Sequence, residues 1–174
     1  MKNYLLVAAG RDRPGIVAKV TGVLFRHHCN LADSSMTRLA SEFSMLVVFQ
    51  APDRFRPEKA LREGGGLFLE IKPLKASEAR PTKARGRPHI ISVHGADRPG
   101  IVHRVSLLLA RRRVNITDVW THRTRAGRSP GYVLFLEIEL SRGQNPRRLT
   151  RELERLARSL RLRVSLRPVE SSRI

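Results

Sequence analysis

The 174-residue sequence has little of the features that mark membrane, secreted or zinc-binding proteins. Its continuous apolar runs, such as residues 5–9 and 45–49, are far shorter than the roughly 20 residues of a membrane-spanning helix. The first run is too short for a signal peptide, and charged residues end it at once. The single cysteine, Cys29, excludes an internal disulfide framework and a multi-cysteine zinc site. We therefore predict a cytoplasmic protein that does not interact with membranes.

Catalytic and metal-binding motifs are also missing from the sequence. His27, His28 and Cys29 are neighbours, but neighbouring side chains of a helix point apart, whereas metal ligands need one face. The phosphate-binding loop, the H-E-x-x-H motif and the G-x-S-x-G motif do not occur. Cys29, Ser34 and Ser35 have no recognisable base and orienting partner. The sequence predicts no catalytic residue, no metal site and no cofactor, and hence no enzyme.

Lysine is scarce in a chain that is otherwise strongly basic. Of the 34 basic residues 28 are Arg, residues 88–174 contain no Lys, and the formal net charge is +19. Both halves of the chain are basic, so the charge is spread out rather than gathered in one patch. A uniform excess of arginine is what a coding bias gives, and a solvated surface is favoured over a specific polyanion site. Whether the charge is functional or compositional stays open at this point.

An internal repeat determines the organisation of the chain. The motif Asp-Arg-Pro-Gly-Ile-Val begins at residue 12 and again at residue 97. At this offset of 85 residues, 13 of the 35 positions in 4–38 have the same residue in 89–123. The chain therefore contains two copies of one module.

Each copy has the same predicted order of elements. In the first copy we predict strands at 4–9, 31–39, 43–50 and 67–72, a helix whose apolar stripe starts at Ile16, and a short helix at Pro57–Glu63. In the second we predict strands at 116–124, 132–140 and 162–169, and a last helix that Asn145 caps and Pro146 opens. The order is βαββαβ, twice. It predicts an α+β fold of two tandem ferredoxin-like modules, each a four-stranded antiparallel sheet with two helices on one face.

The domain boundaries follow from composition. We predict a first module at 1–72, a linker at 73–87 and a second module at 88–174. The linker segment contains prolines, a glycine and many charges, and it lacks apolar periodicity. A module of about 75 residues is small for independent stability, and one face of each sheet is left open. We therefore expect a homodimer that covers the open sheet faces or extends the sheet.

The repeated Asp-Arg-Pro-Gly-Ile-Val motif after the first strand, with an Asn that opens the second strand, resembles an ACT domain. The resemblance covers both copies. Two such copies without a further domain are most similar to the family of glycine cleavage system transcriptional repressors. ACT domains bind small ligands, usually amino acids, and transmit occupancy to a partner. The resemblance implies a regulatory protein in transcriptional control of glycine metabolism that acts through a protein partner such as a transcription factor.

The resemblance also implies a ligand site at the strand-to-helix loop of each copy. The N-terminus of a helix favours a carboxylate, and glycine lets the backbone approach a ligand closely. Aspartate and asparagine oxygens can accept hydrogen bonds from an ammonium group, with the asparagine supplied by a facing module. The predicted ligand-binding residues are Gly10, Asp12, Gly15, Ile16 and Asn30 in the first copy and Gly95, Asp97, Gly100, Ile101 and Asn115 in the second.

A purely structural interpretation of the same residues stays open. Asp12 and Asp97 can be helix N-caps, worth about 1 kcal/mol each, with Pro14 and Pro99 in the first turn. Asn30 and its counterpart can satisfy the preceding helix end. On this interpretation the protein is a ligand-free ACT interaction scaffold.

RNA binding is the main alternative function, because the RRM has the same βαββαβ order and stacks bases on its open sheet face. Residues 128–135 partly match its third-strand motif. However, strand alternation places Tyr132 on the apolar face, and Phe135 shares its face with Glu137 and Glu139, which repel phosphates. We therefore do not expect direct nucleic-acid binding. The arginines of the last predicted helix form either a solvated face or a surface for an acidic partner.

Overall fold

The computed structural model describes residues 1–63, 65–80, 86–126 and 129–169. The chain divides into two compact units, Met1–Thr82 and Lys83–Ile174. Pro73 and Leu74 of the predicted linker belong to the last strand of the first unit, and Arg87 belongs to the first strand of the second. Residues 81–85 of the linker lie outside the described residues, as do residues 127 and 128 of the predicted long hairpin.

Both units have the predicted element order. The first contains β1 (Lys2–Arg11), α1 (Ile16–Arg26), β2 (Asn30–Leu39), β3 (Glu42–Ala51), α2 (Pro57–Glu63) and β4 (Phe68–Leu74). The second contains β5 (Arg87–Ala96), α3 (Ile101–Arg111), β6 (Asn115–Ala126), β7 (Ser129–Leu140), α4 (Pro146–Ser159) and β8 (Leu162–Pro168). The strand orders are β2-β3-β1-β4 and β6-β7-β5-β8, and all neighbours are antiparallel. The predicted α+β fold of two tandem ferredoxin-like modules is confirmed.

Each unit encloses its own core between its sheet and its helices. The alternating side chains of β3 that enter the first core are Phe43, Met45, Val47, Phe49 and Ala51. The second core combines Leu134, Leu136, Ile138 and Leu140 of β7 with Val105, Leu109, Leu149 and Leu153 of the two helices. Burial of one such aliphatic or aromatic side chain contributes about 1.5–3 kcal/mol. The alternate side chains of both central strands lie on the opposite, open face of each sheet.

The repeat extends to irregular backbone that sequence propensity does not reveal. Helices α1 and α3 end in the same left-handed turn, with φ of 55° at His28 and 53° at Arg113. In both, the amide that follows reaches back five residues, to the carbonyls of Leu24 and Leu109, each at 3.0 Å. This turn usually contains glycine. The β-bulge at residues 31–33 likewise recurs at 116–118.

Helix α4 begins as the sequence predicts. The side-chain oxygen of Asn145 accepts hydrogen bonds from the amides of Arg147 and Arg148 at 2.9 and 3.3 Å. Pro146 occupies the first turn, where its missing amide proton costs nothing. The arginines that alternate with the buried leucines leave the other side of this helix polar and exposed.

A forked ion pair joins the two helices of the second unit. Arg112, directly after α3, donates from Nε and Nη2 to the two carboxylate oxygens of Glu152 in α4, each at 2.6 Å. Arg148 approaches the same carboxylate at 3.4 Å. Desolvation raises the pKa of Glu152, but the hydrogen bonds and charges of Arg112 and Arg148 outweigh it and hold this pKa below its ordinary value.

We expect Glu152→Gln to lower the free energy of unfolding at pH 7 by about 1 kcal/mol, because a neutral amide cannot replace the charged fork. Since the pKa of Glu152 is lower in the folded state, its stabilisation is present above the ordinary glutamate pKa and is lost as the pH falls through the folded-state value. Urea unfolding curves of the two proteins should differ at pH 7, and the difference should shrink as the pH is lowered below the ordinary glutamate pKa of about 4.3. A difference that stays constant with pH would contradict an ionic origin.

Cys29, which follows α1, is half-buried against the first core. Burial raises the pKa of its thiol from the ordinary value of 9.0 to about 11. Because the thiolate is the reactive form, we expect Cys29 in the folded protein to react with iodoacetamide at pH 8 about a hundredfold more slowly than in the urea-unfolded chain. Mass spectrometry of timed samples measures both rates. Equal rates would show that the fold neither shields the thiol nor raises its pKa.

In the described part of the chain, no helix combines the length and the apolar composition that crossing a bilayer requires. The same residues contain no group of three or more His, Cys, Asp or Glu side chains that could hold a metal ion.

Candidate ligand-binding site

The loop between the first strand and the first helix of each unit ends in a glycine with a left-handed backbone. Gly15 has a φ of 85° and Gly100 a φ of 86°, and both occupy the N-cap position of their helix. An added Cβ would meet nothing within 4 Å at either glycine, so the backbone conformation and not space requires glycine there.

The prediction that Asp12 and Asp97 cap these helices is wrong. Neither helix has a side-chain cap hydrogen bond at its N-terminus. Three residues, Arg-Pro-Gly, separate each aspartate from the first helical residue, and they form a turn of their own. Pro14 and Pro99 consequently lie before the helix and not in its first turn.

The two aspartates instead pair with arginines near the end of the second strand. The carboxylate of Asp97 lies 2.8 Å from Nε of Arg123, and that of Asp12 lies 3.5 Å from an Nη of Arg38. The Asp12 amide also donates to the carbonyl of Ser41 at 2.8 Å. Each loop therefore presents a carboxylate and a guanidinium side by side, close in sequence to the helix N-terminus.

The arginine of this pair was not among the predicted site residues. A signal for it was present in the sequence, because Arg38 and Arg123 are identical positions of the repeat. Asp97 is 19% exposed whereas Arg123 is 80% exposed, so the guanidinium is free to move while the carboxylate is held near the loop.

The structure gives other predicted site residues a packing role. An added Cβ at Gly10 would lie 2.8 Å from Cδ2 of Leu67, and one at Gly95 would lie 2.4 Å from Cδ2 of Leu162. These glycines let the first strand approach the start of the last strand. The Ile16 and Ile101 side chains are buried in the two cores, so only their backbone can face a ligand.

Asn30 and Asn115 are exposed and lie at the other end of the module. Asn30 pairs with Gln50 and Asn115 with Glu139, whereas the aspartate loop lies at the opposite end of the same strand, near Arg38. Arg38 is eight positions after Asn30, which corresponds to about 26 Å along a strand. One module therefore cannot place both Asp12 and Asn30 on one small ligand. A site that uses both needs a second module.

Two ferredoxin-like modules, each with an Asp-Arg-Pro-Gly loop before its first helix, define the class of the protein. The ACT domain family matches residues 3–63 and 87–167. The chain belongs to the ACT domain family, and it is a tandem ACT protein because both modules match.

The chain is also similar to individual curated proteins. The chain is 26% identical over 140 residues to the glycine cleavage system transcriptional repressor of Escherichia coli (strain K12), covering 79% of this chain and 74% of that protein. A UPF0237 protein of Methanosarcina mazei is 32% identical over 75 residues, which is 40% of this chain and 82% of that protein.

Solved structures support the fold along nearly the whole chain. A protein of unknown function from Galdieria sulphuraria superimposes with a TM-score of 0.81 at 21% identity, covering 97% of this chain and 98% of that one. A candidate glycine cleavage system transcriptional repressor superimposes with a TM-score of 0.68 at 18% identity, covering 97% of each chain.

Proposed function

We propose that this protein is a non-enzymatic regulator that binds an amino acid at its strand-to-helix loops and signals its occupancy to a partner protein that controls glycine cleavage. The observation that supports ligand binding is the Asp–Arg pair, which recurs in both modules at the loop that precedes the first helix. The ACT family and the similarity to a glycine cleavage repressor support the regulatory part.

An amino acid zwitterion complements this pair. Its ammonium would replace the guanidinium at Asp97, and its carboxylate would bind the displaced Arg123 and the first-turn amides of α3. Charge-assisted hydrogen bonds of this kind are about twice as strong as neutral ones. The partial positive charge of the helix N-terminus adds to the attraction for the carboxylate. Asp12 and Arg38 would do the same in the first module.

Signalling would come from the separation of Asp12 and Asn30. If the ligand uses the loop of one module and the asparagine of another, its binding stabilises one arrangement of two modules over others. The ligand can shift this equilibrium only by its difference in affinity between the arrangements. A homodimer would supply facing modules, and the partner would bind one arrangement better than the other.

Isothermal titration of the protein with glycine, serine and the other amino acids tests the proposal. The buffer should contain about 0.15 M salt, so that exposed charges are screened. Saturable heat with one amino acid would support a sensor and identify its signal. No heat with any amino acid would contradict ligand binding and favour the ligand-free scaffold.

The geometry of the open sheet face argues against the RNA-binding alternative. Phe135 lies opposite Trp120 with ring centroids 5.7 Å apart, so an aromatic pair is present. Directly beside it, Asp118 and Glu137 face each other across the same two strands. Two carboxylates next to the stacking rings would repel the phosphates of a bound strand.

A further inference from the structure

The two helices of the second unit border an open groove on the side away from the sheet. Gln144, just before α4, donates its side-chain amide to the carbonyls of Arg112 and Arg113 at 2.8 and 3.1 Å. The end of α3 therefore lies beside the start of α4. The groove between them has a volume of about 780 Å³.

The groove has a basic rim and an apolar floor. Its rim contains Arg104, Arg111 and Arg155, which are exposed and form no ion pair within the described residues. Leu107, which is 40% exposed, and the half-buried Leu108 line it from α3. The half-buried Leu156 lines it from α4. Cationic side chains thus surround apolar surface that this unit leaves uncovered.

This groove is formed before any partner binds. The fork from Arg112 to Glu152 connects its two walls, and Glu152 engages no other groove arginine within the described residues. A partner therefore does not have to break this pair to reach Arg104, Arg111 and Arg155. Preorganised walls reduce the entropic cost of binding.

At the positions of α1 that correspond to the α3 wall, the first unit differs in its side chains or in their partners. At the position of Leu107 it has Gly22, and at the position of Arg111 it has Arg26, which Glu63 neutralises at 3.0 Å. At the position of Arg104 it has Lys19, whose ammonium donates to the carbonyl of Gly65. Among the described residues, the α3 wall therefore combines free cations with an exposed leucine, and the α1 wall does not.

We propose that this groove binds an acidic amphipathic α-helix of a partner protein. The inference rests on the proposed function, which requires a protein partner. Free guanidinium groups select a partner with carboxylates, and the leucine floor selects one that also has an apolar stripe, which a phosphate backbone lacks. The groove is lined from Arg104 to Arg112, which at a rise of 1.5 Å per residue is about 12 Å and matches about two turns of a bound helix.

Fluorescence anisotropy at about 0.15 M salt tests the proposal with three labelled probes. The first is a peptide of about 16 residues with leucines at i, i+3, i+4 and i+7 and glutamates beside them. The second has the same composition in a scrambled order. The third is an oligo-dT of the same net charge. Each is titrated with the full chain and with three variants, R111Q/R155Q, L107A and R151Q/R158Q.

The amphipathic peptide should bind at least tenfold more tightly than the scrambled one. R111Q/R155Q should weaken binding of the amphipathic peptide at least tenfold, and L107A should weaken this binding several-fold. R151Q/R158Q is the matched control, because it removes the same charge from arginines of α4 outside the groove, and it should change affinity less than twofold. Equal binding of both peptides, or equal loss in both double variants, would overturn the proposal. Tight oligo-dT binding that L107A leaves unchanged would assign the surface to polyanions.

The same variants separate this inference from the proposed function. R111Q/R155Q should give the same heat as the unaltered protein when titrated with the amino acid that binds. If R111Q/R155Q loses peptide binding but still gives the amino-acid heat, the result supports peptide binding in the groove, whichever amino acid is the ligand. If the peptide binds but no amino acid gives heat, the proposed amino-acid sensor is contradicted and the proposed docking groove is still supported.

Discussion

Asp97→Asn should weaken amino-acid binding by the second module about ten- to a hundredfold while the protein stays folded. The ligand ammonium would lose a charge-assisted hydrogen bond worth about 1.5–3 kcal/mol. Little stability should be lost, because Asp97 caps no helix and its partner Arg123 is mostly exposed. Isothermal titration measures the affinity, and thermal unfolding shows that the variant is folded.

Two further variants make this prediction specific. Arg123→Gln should also weaken binding, since it removes the cation proposed to hold the ligand carboxylate. Asp53→Asn is the matched control, because it makes the same chemical change at an exposed aspartate outside both loops. Asp12→Asn repeats the test in the first module, so the pair of variants shows which loops bind. Unchanged affinity in Asp12→Asn and Asp97→Asn would leave these aspartates a structural role only.

The internal repeat made the fold predictable from one sequence. Each ambiguous segment of one copy could be compared with its counterpart 85 residues away, so the short helix α2 was assigned beside the clear helix α4. Apolar alternation identified the buried face of β3 and of β7. The helix starts at Ile16 and Ile101 were predicted one turn too early, because Asp before Pro matches a local capping preference. The left-handed glycine that precedes each helix overrides that preference.

The candidate site was only partly predictable. That Asp12 and Asn30 lie at opposite ends of a module follows from the topology, since β1 and β2 are both antiparallel to β3. The pairing of Asp12 with Arg38 and of Asp97 with Arg123 could not be predicted. It depends on the last part of β2 and β6 lying beside the loop, which is a tertiary contact. The Trp120–Phe135 pair depends on the bulge at 116–118, because a shift of one residue exchanges the two faces of a strand. No periodicity in the sequence indicates that bulge.

Leu136→Ala should lower the melting temperature of the second unit by about 8 °C or more. Leu136 is fully buried in β7, at the centre of the second core. Removing a buried leucine side chain typically costs 2–5 kcal/mol, partly because a cavity remains. For a domain below about 100 residues, each kcal/mol lowers the melting temperature by about 4–8 °C. The first core is a separate cluster and should keep its own transition.

The single tryptophan separates the two transitions. Trp120 lies in the second unit, so its fluorescence reports unfolding there, while far-ultraviolet circular dichroism reports both units. In Leu136→Ala the fluorescence transition should move to lower temperature, and the dichroism should show a second step at the original temperature of the first unit. Leu46→Ala is the control, since Leu46 lies on the open face of the first sheet and its loss should change either transition by less than about 0.5 kcal/mol. A common shift of both transitions in Leu136→Ala would mean that the two cores unfold as one cooperative unit.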